Sequence, residues 1–321
     1  MRGPLSCLNE ARYGICWGAV GAGRACYESA LEYAKTRVQY GRPIAGFQLT
    51  QRKLVEMMVK VQKAQLVALH LGRRKDEGTL TSARRDGGDW VLNGTKMWIT
   101  NGGIADVAVV WARTDDEGVR GFLVPAGTPG FTTSDIGRKL SLRASVTSEL
   151  VLEDCRLPAD AVLPEVRGMR GPLSCLNEAR FGIIWGSMGA ARACFASALE
   201  YARTREQFDR PIGGFQLTQQ KLADMLVELS KGTLLALHLG RLKDEGRLAP
   251  EQVSLGKLNN VREALAIART ARTILGANGV TLEYPVIRHA NNLESVLTYE
   301  GTSEVHSLIL GQAVTGLAAF T

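Results

Sequence analysis

Aromatic residues are scarce in this chain, at 6% of 321 residues, and its basic residues do not gather in runs. Nucleic-acid-binding domains usually combine clustered Lys and Arg with exposed aromatic side chains. Here Lys and Arg are interleaved with acidic residues, so the net charge of +7 does not by itself indicate a nucleic-acid partner. A basic surface that receives the phosphate groups of a small ligand accounts for the same charge.

Cysteine is also sparse and follows no metal-binding or disulfide pattern. The six cysteines contain no CxxC spacing, so we predict neither a metal site nor a disulfide framework. The chain lacks a run of about 18 uninterrupted apolar residues, and its first residues lack the cleavage pattern of a signal peptide. The sequence therefore predicts reduced thiols and a soluble, cytoplasmic protein with no membrane partner.

A long internal repeat dominates what is present. Residues 1–80 return as residues 169–248, with 56 of 80 aligned positions identical and no gap. Solenoid repeats recur at periods of roughly 20 to 50 residues, whereas these two segments are long and separated by residues 81–168, which have a different character. The sequence therefore indicates one duplicated segment. We call residues 1–80 copy 1 and residues 169–248 copy 2.

Each copy is predicted to be a helical hairpin. In copy 1, residues 5–37 and 48–71 place apolar residues at three- and four-residue spacing, which is typical of amphipathic helices. Residues 42–47 contain proline and glycine and form the connection. Such a hairpin has an apolar face that needs a packing partner.

Residues 81–165 are predicted to form a small antiparallel β domain, because their apolar residues alternate. Residues 90–92 and 96–100 are predicted strands, and Asn93 and Gly94 are predicted to join them in a type I′ turn. Further strands are expected at residues 107–112, 121–124 and 150–152.

Residues 166–321 are predicted to be helical again. One helix ends at the glycine-containing segment 276–279, the next covers residues 285–298, and Thr302 or Ser303 caps a final helix. The predicted fold class is α+β, with a duplicated helical hairpin, a small antiparallel β domain and a carboxyl-terminal helical domain. Their predicted bounds are residues 1–80, 81–165 and 166–321.

Glu300 is the strongest candidate for chemistry. It lies in residues 297–306, the only loop of the sequence that combines a carboxylate, a glycine and a helix start. A carboxylate just before a helix cap can project into a cavity, where loss of water raises its pKa and makes it an effective base. The alternative is a solvated acid near the positive end of a helix, with no chemical role.

Several motifs together resemble the acyl-CoA dehydrogenases, flavoenzymes with a β domain followed by a four-helix carboxyl-terminal domain. The motifs occur in the family's order: KMWITN at residues 96–101, KLSLRAS at 139–145, RTREQF at 203–208, LGANG at 275–279, EYP at 283–285 and YEGT at 299–302. Residues 175–182 and 306–311 look specifically like the glutaryl-CoA dehydrogenase branch. The resemblance covers about residues 81–321, and copy 1 matches the same family a second time.

The resemblance implies an FAD-dependent oxidoreductase that acts on an acyl-CoA thioester. Glu300 would be the base that removes a proton from the carbon next to the thioester, while hydride leaves the neighbouring carbon for the flavin. The Glu300 backbone amide would polarise the thioester oxygen. In intact relatives of the glutaryl type, glutaryl-CoA is oxidised and decarboxylated, and the electrons pass to an electron-transferring flavoprotein.

The resemblance also assigns contacts with the cofactor and the substrate. Trp98 and Thr100 would lie against the flavin, whereas Arg205, Gln207 and Phe208 would reach the FAD of a neighbouring subunit. A homo-oligomer, dimer or tetramer, is therefore expected. The other cofactor-binding positions are Gly276, Gly279, Thr302 and Glu304, and the substrate-binding positions are Asn177, Arg180 and Gly301. For the two cofactor-binding glycines the alternative is a helix terminus, and for the asparagine and arginine it is a surface role.

The sequence also departs from the family. Copy 1 stands where relatives have an amino-terminal helical domain, and the family's loop Leu-Thr-Glu-Pro…Gly-Ser-Asp, which hydrogen-bonds the flavin ring, is missing before residue 81. No residue inherits by motif the arginine that binds the distal carboxylate of glutaryl-CoA. We therefore expect impaired dehydrogenation. The alternative is a non-catalytic or degenerate helical assembly protein that retains the family core.

We predict that copy 1 docks as a bundle neighbour, in its own chain or another, because it has the same apolar face as copy 2. Limited proteolysis followed by mass spectrometry should then find residues 78–88 resistant to cleavage. The alternative is a loosely attached arm. Rapid release of residues 1–80, with no change in oligomeric mass or thermal stability, would contradict docking.

Overall fold

The computed structural model describes residues 20–76, 81–115 and 118–317. The chain divides into two compact units, Met1–Leu80 and Thr81–Thr321. Residues 5–19 of the first predicted helix lie outside the described part.

The first unit contains the helical hairpin expected for copy 1. Helix α1 covers residues 20–36 and helix α2 runs from Gln48 to Asp76. Between them, strands β1 (Val38–Gln39) and β2 (Arg42–Pro43) pair antiparallel. Tyr40 and Gly41 turn the chain at φ values of 52° and 76°.

The same turn recurs in copy 2, between strands β9 (Glu206–Gln207) and β10 (Arg210–Pro211). Arg210 lies over the Phe215 ring at 4.1 Å from its centroid, and Arg42 lies over Phe47 at 4.3 Å in copy 1. The cation–π contact is attractive and closes each turn in the same way. The repeated sequence therefore forms the same local structure twice.

A six-stranded sheet opens the second unit. Its order is β6-β5-β3-β4-β8-β7, and all neighbours are antiparallel except the parallel pair β3 and β5. The strands are β3 (Ser82–Asp86), β4 (Asp89–Thr100), β5 (Val107–Thr114), β6 (Gly118–Pro125), β7 (Phe131–Asp135) and β8 (Thr147–Leu157). Leu92, Phe122 and Cys155 are fully buried in its core. The predicted β domain is thus present, with one parallel pair that the sequence did not indicate.

The predicted turn at Asn93 and Gly94 is wrong. Strand β4 continues through both residues and pairs with β8, with a register shift between Leu92 and Gly94 that marks a β-bulge. A type I′ turn needs positive φ at both central residues, and only Gly94 has it, at 140°. The Asn93 side chain instead accepts a hydrogen bond from the Asp154 backbone N–H at 2.8 Å, which ties the bulge to β8.

A helical bundle follows the sheet. Its helices are α3 (Arg170–Thr204), α4 (Gln216–Asp244), α5 (Pro250–Ile274), α6 (Val286–Thr298) and α7 (Ser303–Thr315). Helix α5 packs against each of the other four helices, and small side chains allow close approach to α3, as at Ala268 and Cys194. The expected ends are confirmed: Gly276 has φ 58° after α5, and Thr302 caps α7 by accepting a hydrogen bond from the Val305 N–H.

The two copies differ in burial because only copy 2 is covered by α5 within its own unit. Cys194 in copy 2 is fully buried, and this burial raises the pKa of its thiol to about 12. The equivalent Cys26 in copy 1 is exposed. Among the described residues the two copies therefore differ at this position, whereas Ala34 of copy 1 and its equivalent Ala202 of copy 2 are both buried.

Among the helices of the described residues, none combines the length and the apolar character needed to cross a membrane.

Gly94→Ala should lower the free energy of unfolding by roughly 2 to 4 kcal/mol. An added Cβ would lie 2.6 Å from the Thr81 Cα, and φ 140° is unfavourable for a residue with a side chain. Gly137→Ala is the control, because nothing lies within 4 Å of its Cβ position. Urea unfolding of both variants checks the prediction, and equal stabilities would contradict the bulge geometry.

Candidate active site

The Glu300 loop joins α6 to α7 and has an unusual backbone. Glu300 has φ 56° and Gly301 has φ 98°. A left-handed conformation at a residue with a side chain costs on the order of 1 kcal/mol or more, so it persists only where surrounding contacts hold it. Those contacts come from α3, α5 and α7.

Arg180 of α3 holds the loop from one side. Its side chain is 7% exposed, and its Nε donates to the Glu300 carbonyl oxygen at 2.7 Å. Its Nη1 also donates to the Asn177 side-chain oxygen at 3.4 Å. Burial lowers the pKa of the guanidinium, and the nearby Glu300 opposes that shift. Arg180 therefore stabilises the Glu300 loop through a direct hydrogen bond, whereas its expected contact with coenzyme A stays a prediction.

Lys257 of α5 holds the loop from below. Its side chain is 1% exposed, and its Nζ donates to the carbonyl oxygens of Gly301 at 2.7 Å, Tyr299 at 2.9 Å and Leu297 at 3.4 Å. Burial, and to a smaller extent the Arg180 charge, lower its pKa to about 8, while the Glu300 charge opposes both. One buried ammonium thus contacts the backbone on both sides of Glu300.

Glu300 itself has the properties expected of a base. Its Oε2 atom is buried and has no hydrogen-bond partner among the described residues. Burial raises the pKa of the carboxyl group, and the charges of Arg180 and Lys257 limit the rise. A buried carboxylate oxygen without a partner is costly, unless a bound molecule contacts it. Glu300 is thus partly buried rather than solvated, and its role as a base stays a prediction.

His306 of α7 closes the bottom of the site. It is fully buried, and neither ring nitrogen makes a well-aligned hydrogen bond within the described residues. Burial, and to a smaller extent the charges of Lys257 and Arg180, lower its pKa to about 4, while the nearby backbone of Gly301 and Glu300 opposes this shift. A Cβ on Gly301 would lie 3.1 Å from the His306 Nε2, so glycine is needed here for both space and φ.

A separate cavity of about 400 Å³ brings several predicted FAD contacts together. Arg205 and Gln207, just after α3, line it with Gly276, Ala277 and Asn278, just after α5. The two segments are distant in sequence but adjacent because α3 and α5 pack side by side. An exposed guanidinium beside backbone at a helix end can receive a diphosphate.

Trp98 and Thr100 lie at the end of β4. Trp98 has φ 64°, next to a second register shift between Lys96 and Ile99, and its side chain is 63% exposed. Thr100 is exposed as well. A β-bulge therefore lies at Trp98, and its indole is not part of the core of the sheet. An exposed indole on a sheet offers an apolar surface to a planar ring.

The remaining predicted cofactor residues have structural explanations of their own. Gly279 is buried, and a Cβ there would lie 2.4 Å from the Arg272 carbonyl oxygen. Thr302 caps α7, while Glu304 is exposed and its own backbone N–H lowers its pKa. Phe208 is 85% exposed and contacts Phe215 edge-on. Their contacts with FAD stay predictions.

Sequence reasoning missed Lys257 and His306. Lys257 belongs to the buried stripe of α5, between Val253 and Val261 at four-residue spacing. A lysine at an apolar position of an amphipathic helix was the signal that could have identified it. His306 had a weaker signal, since one histidine in an apolar helix is common.

The site thus consists of a buried carboxylate in a strained loop, held by two cations, on a sheet-plus-bundle scaffold. The family model for the carboxyl-terminal domain of acyl-CoA dehydrogenases matches residues 1–101 and 166–315, and the model for the middle domain matches residues 73–155. The chain therefore belongs to the acyl-CoA dehydrogenase family, whose members are FAD-dependent flavoproteins.

Individual relatives agree with this assignment. The human mitochondrial short-chain specific acyl-CoA dehydrogenase is 39% identical over 245 residues, which are 74% of this chain and 60% of the relative. The glutaryl-CoA dehydrogenase structure from Mycobacterium smegmatis is 72% identical, with TM-score 0.75, over 76% of this chain and 63% of that one. A second structure from that organism, in complex with FADH2, is 67% identical with TM-score 0.74, over 76% and 63% of the two chains. The chain thus spans less than two thirds of these relatives.

Acid should destabilise the protein partly through His306. The folded-state pKa of about 4 lies below the ordinary value of 6.5, so the unfolded chain binds more protons between these values and stability falls as pH drops from 6.5 to 4. The loss is at most roughly 3 kcal/mol. His306→Asn should flatten this slope in urea unfolding at several pH values. His238→Asn, at an exposed histidine of α4, should retain it, and parallel slopes for all three proteins would contradict a buried neutral His306.

Proposed function

We propose that this chain carries out FAD-dependent α,β-dehydrogenation of an acyl-CoA thioester. The observation that supports it best is the buried Oε2 of Glu300, which has no partner among the described residues and belongs to a carboxyl group of raised pKa. A carboxylate whose pKa is raised is a stronger base than an ordinary one, which suits it to accept a proton from the carbon next to a thioester.

In this proposal Glu300 and Arg180 have distinct roles in the reaction. Glu300 accepts the α proton at its carboxylate, and its backbone N–H donates to the thioester oxygen. Arg180 fixes the Glu300 carbonyl through the 2.7 Å hydrogen bond, so the peptide that carries both groups keeps one orientation. FAD, when bound, supplies the acceptor for the hydride that leaves the β carbon.

The residues present fit FAD in two places. The exposed Trp98 ring and Thr100 offer a surface for the flavin, and the cavity beside Arg205 and Gln207 offers a cationic site for the diphosphate and adenosine. In the proposal the cavity of one subunit receives the FAD of another, so the working protein is a homo-oligomer. An electron-transferring flavoprotein is the proposed electron acceptor.

The proposed substrate is a short monocarboxylic acyl-CoA such as butyryl-CoA. The relatives are named for short-chain and glutaryl substrates, so both chain types are candidates. A distal carboxylate needs a charge-assisted partner worth about 1.5 to 3 kcal/mol, and the sequence supplies no arginine for it by motif. Glutaryl-CoA is therefore the poorer candidate, and its decarboxylation the least supported step.

A second candidate function is a non-catalytic helical assembly protein. The exposed Cys26 favours it, because the equivalent Cys194 is fully buried in packing between helices, and a partner could bury the position in copy 1 in the same way. Flavin content separates the two functions. A purified protein that is colourless and cannot be reconstituted with FAD would favour assembly.

Glu300→Gln should abolish flavin bleaching by butyryl-CoA while FAD stays bound, because the amide keeps the shape of the side chain and loses its basicity. Stopped-flow absorbance of the reconstituted protein measures the rate. Glu294→Gln is the control, since Glu294 is an exposed acid of α6 that pairs with Arg269. Bleaching of Glu300→Gln at the wild-type rate would remove Glu300 from the base role.

A further inference from the structure

Lys257 donates hydrogen bonds to three backbone oxygens of the Glu300 loop, and none of the predicted contacts with FAD or substrate involves it. Its three acceptors are the carbonyl oxygens of Leu297, Tyr299 and Gly301, which lie on both sides of Glu300. An ammonium has three N–H donors, so the charged form satisfies all three acceptors. A neutral amine has two donors and a lone pair, which would face a carbonyl oxygen.

Stability does not explain this arrangement. The pKa of Lys257 is lowered to about 8, so the folded protein holds the proton less tightly than the unfolded chain does. The three hydrogen bonds therefore do not offset the free-energy cost of burying the charged ammonium beside Arg180. By linkage, the contribution of Lys257 to the free energy of unfolding increases as the pH rises from about 8 towards 10.5. A charge that stabilised the fold would make this contribution decrease with rising pH.

We propose that Lys257 is a positioning residue for the base: its ammonium fixes the loop carbonyls and so aims the Glu300 carboxylate, and loss of its proton releases the loop. The part of this proposal that concerns turnover rests on the function proposed above. The part that concerns the Glu300 carboxyl group does not.

The groups around the ammonium decide its titration. Arg180 faces it from α3 and lowers its pKa, whereas Glu300 faces it from the loop and raises it. His306 of α7 carries no charge near neutral pH, and burial and Glu300 raise the pKa of Tyr299, which keeps that phenol neutral as well. Lys257 is therefore the basic group of this cluster whose charge changes near pH 8.

The test compares the wild type with Lys257→Met, Lys257→Arg and Lys139→Met. Methionine keeps the length of the side chain without charge or donors, and arginine keeps the charge far above pH 8. Lys139 is the matched control, because its Nζ also contacts three oxygen acceptors, those of Leu142, Ser145 and Thr147, within a loop of the β domain.

The first measurement needs no turnover. The infrared carbonyl band of the protonated Glu300 carboxyl group, identified by its loss in Glu300→Gln, is titrated in each protein. Lys257→Met should move the midpoint to higher pH, because a nearby positive charge is lost. Lys139→Met should leave it in place. An unchanged midpoint in Lys257→Met would overturn the proposal whether or not the protein is an enzyme.

The second measurement is the pH dependence of flavin bleaching by butyryl-CoA. The wild type and Lys139→Met should lose rate above about pH 8, Lys257→Met should be at least tenfold slower at pH 7 with no such loss, and Lys257→Arg should recover rate and retain it to higher pH. A Lys257→Met protein that bleaches like the wild type at every pH would refute positioning. If the wild type itself does not bleach, the proposed function fails, and the infrared midpoint still decides the role of Lys257.

Discussion

The packing of α5 against the rest of the bundle is the constraint on which this structure depends. One face of the helix supplies small residues that bury α3, and the same helix carries a lysine beneath the loop of Glu300. Core and site are therefore not separable. A substitution that moves α5 by a fraction of an ångström should also shift the carbonyl groups of the Glu300 loop, because the buried ammonium of Lys257 links the helix to them.

Much of the fold and part of the site were predictable from local patterns. Helix periods and capping residues located α2 and α7, and the carboxylate in front of a cap identified Glu300. The turn at Gly94 failed because a local Asn-Gly signal competed with pairing to β8, some sixty residues later in the chain. The position of Lys257 among the apolar residues of α5 was visible in the sequence, but only tertiary packing brings that side chain to the carbonyl oxygens of the Glu300 loop.

The site also shows how one strained residue is supported from several directions. Glu300 adopts a left-handed conformation, and Arg180 and Lys257 bind backbone oxygens of its loop while His306 packs beneath it. These hydrogen bonds go to backbone oxygens rather than to the carboxylate. They therefore restrict the position of Glu300 without forming an ion pair with its side chain. That division leaves the buried Oε2 without a hydrogen-bond partner among the described residues, and it places two buried cations beside the carboxylate.

The duplicated hairpin has a further consequence. Cys26 of α1 and Cys194 of α3 occupy equivalent positions in the two copies, yet one is exposed and the other fully buried. Their thiols therefore differ in reactivity for a purely tertiary reason. A thiol reagent applied to the folded protein should therefore react at the exposed Cys26, whereas its reaction with Cys194 reports whether the contact between α3 and α5 is intact.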